Sequence, residues 1–140
     1  MDCRISVTKA SDKPYLVKSE EFMRYVDQDD LACRESDIVQ NVYLADWFYY
    51  ASGQRYFYLP TFFLDGGRPF FINGRHRTIL LSRYLDLLPM AFAQIPLTQM
   101  GPDSQSVLER LVYRELMEGE LIDLPDLPIV DAIPPLSKKE

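Results

Sequence analysis

Two glycine-centred breaks, Asp65-Gly66-Gly67-Arg68 and Asn73-Gly74, bracket the short run Pro69-Phe70-Phe71-Ile72. The segment before the first break, Tyr56 to Leu64, is rich in aromatic and β-favouring residues and is interrupted by Pro60. A paired-glycine turn between two such runs is a strong hairpin signal. Past the second break, Arg75 to Leu88 carries Leu81, Tyr84, Leu85 and Leu88 at the spacing of an amphipathic helix, with Pro89 as its expected end. Strand, tight turn, strand, glycine loop and helix must therefore follow one another within about 30 residues. A lone hairpin is barely stable in water, so the rest of the chain has to supply a sheet and helices to cover it.

The remaining elements are read around that frame. Ile5 and Val7 alternate with polar neighbours as a short strand. Ser19 to Val26 reads as a short helix capped by Ser19. Asp27 to Asp37 is polar and acidic, loop or frayed helix, and Asp37 to Tyr50 starts as a helix with an aromatic end that suits a strand equally well. Met90 to Ile95 is expected as a third strand, and Ser104 to Glu118, stopped by Gly119, as the clearest helix. From Leu121 the chain carries Pro125, Pro128, Pro134 and Pro135 among acids and aliphatics, which predicts an extended tail. The expected organisation is one α+β domain over 1–120, a small mixed sheet with packed helices, and an extended Pro-rich acidic tail over 121–140.

Composition supports one folded domain. The chain has 140 residues, 47% hydrophobic and 26% charged, which fits a globular core rather than a disordered chain. Fifteen Lys and Arg against 21 Asp and Glu give a net charge of -6. That makes the chain a poor general binder of nucleic acid, since duplex affinity depends on phosphate neutralisation, but leaves room for a local basic site. Two cysteines, Cys3 and Cys33, and one histidine, His76, exclude a disulfide framework and a structural zinc site. With no run of 18 apolar residues and no apolar signal-peptide core, the expectation is a cytoplasmic protein without a membrane partner.

The charge is not evenly spread. Gly66 to Leu85 contains no acid, yet Arg68, Arg75, Arg77 and Arg83 all fall there. Free N–H groups at a helix start favour anions, and a glycine lets a phosphate approach closely. Arg75 and Arg77 add planar, permanently charged donors, and His76 can move a proton near neutral pH. Asn73, Gly74, Arg75, Arg77, Thr78 and Arg68 are therefore the candidate nucleotide-binding residues, with His76, Arg75 and Arg77 the candidate catalytic ones. Arg68, Arg75 and Arg77 are expected on one concave patch and Arg83 away from it. The bland alternative is that each arginine pairs with its own carboxylate and His76 is a buried, satisfied imidazole.

The stretch Phe71-Ile-Asn-Gly-Arg-His-Arg-Thr-Ile-Leu-Leu81, followed by Leu88-Pro-Met-Ala-Phe92, resembles the ParB/sulfiredoxin superfamily. There a hairpin leads into a Gly-x-x-Arg loop, a helix and a strand, and the loop binds nucleotide phosphates. The wording Asn73-Gly-Arg-His-Arg77 is most similar to plasmid fertility-inhibition proteins of the Osa type. That resemblance implies ATPase or DNase activity, ATP and Mg²⁺ as cofactors, and interference with conjugative transfer. Sulfiredoxin's nucleophilic cysteine is replaced here by Arg75, so its reductase chemistry is not implied. Of the Glu-Asn-x-x-Arg motif of ParB-type members, Glu109 and Arg110 lie on the matching helix, Arg114 falls one position late, and the Asn is absent. The metal ligands are left unassigned.

A second function class stands beside the first. Ten aromatics between Tyr43 and Phe63, the -6 charge and the acidic tail suit a non-catalytic inhibitor that blocks a bacterial protein machine. The bland reading of the aromatic run is core filling for a small sheet.

Overall fold

The computed structural model describes residues 1–44, 47–94 and 103–125. Nine strands and four helices alternate along them: β1 (Asp2–Ser6), β2 (Lys13–Lys18), α1 (Ser19–Tyr25), α2 (Glu35–Leu44), β3 (Phe48–Ala51), β4 (Gln54–Tyr58), β5 (Thr61–Asp65), β6 (Arg68–Asn73), α3 (Arg75–Ser82), β7 (Leu87–Phe92), α4 (Asp103–Leu111), β8 (Val112–Glu115) and β9 (Leu121–Asp123). A 3-10 turn, Gln28–Leu31, lies between α1 and α2. The fold class is α+β, with two small mixed sheets in place of the single expected one. One runs β3-β4-β1-β9 and the other β6-β5-β7-β2-β8.

Pro60 explains the split. Leu59 N still donates to Ser6 O in the first sheet, whereas Pro60 O accepts from Ala91 N in the second. Proline has no N–H to continue the first ladder, so the aromatic run breaks into β4 and β5 on different sheets. The hairpin β5–β6 forms as the glycine turn predicts, with Asp65 opposite Arg68 and Gly66 and Gly67 both at positive φ.

Most of the aromatic run is core. Trp47, Phe48, Phe57 and Phe62 are buried, and Phe62 packs its ring on Phe22 and Phe92 at centroid distances of 5.3 and 5.4 Å. Tyr50 is exposed, and the side chain of Tyr43 lies outside the described residues. One hydrophobic cluster spans both sheets and the helices, from Cys3 and Ile5 to Leu111 and Leu116.

Several boundaries differ from expectation. Ser19 is not a cap: Lys18 holds the N-cap position, and Ser19 is the buried first residue of α1. β2 was not foreseen, yet it pairs with β7 on one side and β8 on the other. α3 stops at Ser82 rather than running to Leu88, because Leu87–Phe92 is needed as a strand buried on nearly every residue. A contiguous apolar run suits a central strand as well as a helix stripe. Pro89 sits inside β7, where β5 reaches only Ala91 and Phe92, so its missing N–H falls on a stretch paired on one side. The long helix expected over Ser104 to Glu118 is likewise halved: α4 ends at Leu111, and Val112–Glu115 pairs antiparallel with β2. β9, at the start of the expected tail, pairs antiparallel with β1, and Leu124 is buried in the core, so residues 121–124 are part of the folded domain; the tail beyond Pro125 lies outside the described residues. No helix among the described residues is long and apolar enough to cross a membrane.

Candidate functional site

The junction from β6 to α3 is built on Gly74. It occupies the N-cap of α3 at φ 83°, a left-handed conformation in which L side chains are strained. A β-carbon there would lie 2.5 Å from Pro60 Cβ and 2.7 Å from Arg77 Nη2. The glycine is thus required by packing against the sheet crossing. α3 begins with no side-chain cap and no acid in its first turn. Instead Thr78 donates both its N–H and its Oγ1–H to Gly74 O, each at 3.0 Å.

A cavity of about 470 Å³ opens against this junction, lined by Asn73, Gly74, Arg75, His76 and Arg77, with Phe71 and Ile72 from β6 and Asp30 and Asn41 from across the gap. Arg75 is exposed. Arg77 is only 8% exposed, donating through Nη1 to Tyr58 O at 2.8 Å and through Nη2 to Asn73 Oδ1 at 3.2 Å. Among the described residues neither arginine has a carboxylate within ion-pair distance, although the N-terminus, Arg24, Arg34, Arg68, Arg83 and Arg114 each do. Burial pushes the Arg77 guanidinium down to about 10, still charged at neutral pH. His76 is held below the ordinary imidazole value by burial and by the Arg75 charge, against a smaller opposing pull from Asp37. Its imidazole is neutral at pH 7 and able to accept a proton.

The other candidates are placed elsewhere. Arg68 is exposed, 3.7 Å from Asp27 Oδ1, and does not line the cavity, so the expected three-arginine patch reduces to Arg75 and Arg77. Thr78 is fully buried with its hydroxyl committed to Gly74, which leaves it no donor for a ligand. Arg83, expected apart, forms a two-pronged bond to Glu35 at 2.7 and 2.8 Å. Glu109, Arg110 and Arg114 do not line the cavity either. Arg110 donates to Tyr25 Oη, and Arg114 pairs with Glu120.

Asp30 and Asn41 were not singled out from the sequence. Asp30 Oδ2 accepts from Phe71 N at 3.1 Å and so caps the outer edge of β6. Its position in an acidic run carries no signal of that. Asn41 Oδ1 accepts from the buried Trp47 Nε1 at 2.7 Å. Here a signal existed, since a buried indole N–H needs an acceptor and Asn41 is a nearby polar residue of α2. Among the described residues no three His, Cys, Asp or Glu side chains are grouped to hold a metal ion. Asp30 alone is not a Mg²⁺ site.

What the fold and the cavity define is a small α+β protein with a cationic recess at a strand–glycine–helix junction. Comparison with models of known families, with curated proteins and with solved structures finds no match.

Proposed function

We propose that the recess beside Gly74 binds a phosphate group of a nucleotide or nucleic acid, and that its reaction is hydrolysis of ATP or DNA. The observation that carries this reading is Arg77: a buried guanidinium, bordering a cavity, with no carboxylate partner among the described residues. A buried charge without a counter-charge is costly, and an anion in the recess would supply one. Arg75 at the mouth adds a second cation, and the free N–H groups that open α3 favour the same ligand. In the hydrolytic step, neutral His76 takes the proton of the attacking water. Arg75 and Arg77 stabilise charge on the phosphoryl oxygens as the leaving oxygen departs. The resemblance of Phe71–Leu81 to the ParB/sulfiredoxin superfamily supports the same ligand class. It is also the ground for interference with conjugative transfer as the biological setting. Phosphate release from ATP and strand cleavage of DNA, each compared with His76→Gln, test the reaction. Turnover in the parent that falls at least tenfold in the variant is expected, and turnover unchanged in the variant would remove His76 from the chemistry.

A second reading has its own observation. Tyr113 on β8, Met117 after it and Leu121 on β9 are exposed, Met117 at 76%, and both strands are sheet edges. Apolar side chains on open edges suit protein–protein contact, as a non-catalytic inhibitor of a bacterial protein machine would need. A stoichiometric protein partner retained after Arg75→Ala, without any phosphate release, favours this reading over hydrolysis.

A further inference from the structure

Arg77 bridges the two sheets at the point where the chain crosses between them. Tyr58, whose carbonyl accepts from Nη1, ends β4 in the four-stranded sheet. Asn73, whose side chain accepts from Nη2, ends β6 in the five-stranded sheet. A guanidinium has five donors and no acceptor, so the Asn73 atom facing it must be Oδ1. The planar carboxamide then turns its NH₂ away from Arg77. Among the described residues no acceptor takes that NH₂, and none of their side-chain nitrogens or oxygens is both buried and unpartnered. Nδ2 is therefore open to solvent. Asn73 lines the recess with Arg75 and His76, and it also lines a second cavity of about 200 Å³ with Asp12 and Thr61.

We propose that Asn73 is a ligand-binding residue whose NH₂ donates to an anionic oxygen at the seam of the two cavities, and that Arg77 is its positioning residue. Arg77 fixes which end of the amide the ligand meets. The Asn73 amide then presents only its donor end to the seam, which suits an oxyanion at that point. The inference rests on the phosphate-binding reading but makes a separate demand on it: Arg77 acts on the ligand through its charge and through the direction it gives Asn73, its Nη1 and Nη2 being spent on Tyr58 O and Asn73 Oδ1.

ATP is titrated into the parent, Asn73→Ala, Arg77→Lys and the double variant, with thermal melts confirming that each is folded. Loss of one hydrogen bond to a charged oxygen corresponds to roughly tenfold or more in affinity. The expected pattern is a loss of about that size for Asn73→Ala, a similar loss for Arg77→Lys although the charge is kept, and no further loss in the double variant. Losses that multiply in the double variant, or Asn73→Ala with parental affinity, overturn the inference while leaving the phosphate site intact. Should Arg77→Lys fail to fold, the Asn73 side-chain NH₂ resonances of the parent decide. They shift as ATP saturates the site, and saturable binding without such a shift is the contrary result. Absence of any ATP binding to the parent overturns both the inference and the reading beneath it.

Discussion

Gly74 and Pro60 approach so closely that a β-carbon on Gly74 would fall 2.5 Å from Pro60 Cβ and 2.7 Å from Pro60 Cα. Pro60 is where the chain leaves one sheet for the other, and Gly74 is where β6 gives way to α3. Their contact ties the sheet crossing to the start of the helix that carries Arg75, His76 and Arg77. Gly74→Ala adds a steric overlap with backbone to the strain of a non-glycine residue at positive φ. A loss of about 2–4 kcal/mol in denaturant unfolding is expected, with an intact hairpin upstream. A variant as stable as the parent would show that this contact is loose.

Asn41 lines the recess and is bonded to the buried Trp47. Trp47 is buried and its indole N–H donates to Asn41 Oδ1 at 2.7 Å. Asn41→Ala leaves the indole N–H without its acceptor, at a cost of about 1–3 kcal/mol. A red or blue shift of the single tryptophan's fluorescence, measured beside an unfolding curve, reports the change of environment. Parental stability in Asn41→Leu and Asn41→Ala alike would mean that water replaces the bond without penalty.

His76 makes stability depend on pH in a defined direction. Its pKa in the folded chain is lowered from the ordinary value of 6.5, chiefly by burial and then by Arg75. Well above pH 6.5 both folded and unfolded states hold a neutral imidazole, and His76 contributes nothing to the pH dependence. As pH falls below 6.5 the unfolded chain takes the proton first, so stability drops until the lowered folded value is passed. Melting temperatures from pH 7.5 to 5 should therefore fall less steeply in His76→Gln than in the parent. Parallel slopes would contradict the shift.

How far the sequence determines this fold is clearest where local pattern and tertiary pairing agree. The hairpin across Gly66-Gly67, the break at Asn73-Gly74 and the helix start at Arg75 follow from turn chemistry that few other structures satisfy. Val112–Glu115 was misread because Val107, Leu108, Leu111, Val112 and Leu116 continue a helical stripe, while the open edge of β2 makes pairing the better use of those residues. The same conflict shortened α3, since Leu87–Phe92 is flanked by β2 and β5. At the site, Gly74, Arg75, His76 and Arg77 were legible as one short string. Asp30 and Asn41 were not, because they reach the recess from 30 or more residues away.

The strand at Val112–Glu115 can be tested by sign. Val112→Ala raises intrinsic helix propensity but removes a β-branched side chain from a paired strand. A loss of roughly 1 kcal/mol is expected from the strand, measured by urea unfolding, and slowed hydrogen exchange at Leu116, whose N–H donates to Pro14 O at 2.9 Å, should accompany the parent's strand. Stabilisation by Val112→Ala would favour a continuous helix instead.

The central claim is that the recess between Arg75 and Arg77 binds a phosphate. Calorimetric titration of ATP into the parent chain and into Arg75→Ala at low ionic strength tests it most directly, because Arg75 is exposed and its removal leaves the fold's contacts in place. Saturable binding by the parent, weakened at least tenfold in Arg75→Ala and weakened again by added salt, is the predicted result. No binding by the parent, or equal affinity in the two proteins, would contradict it.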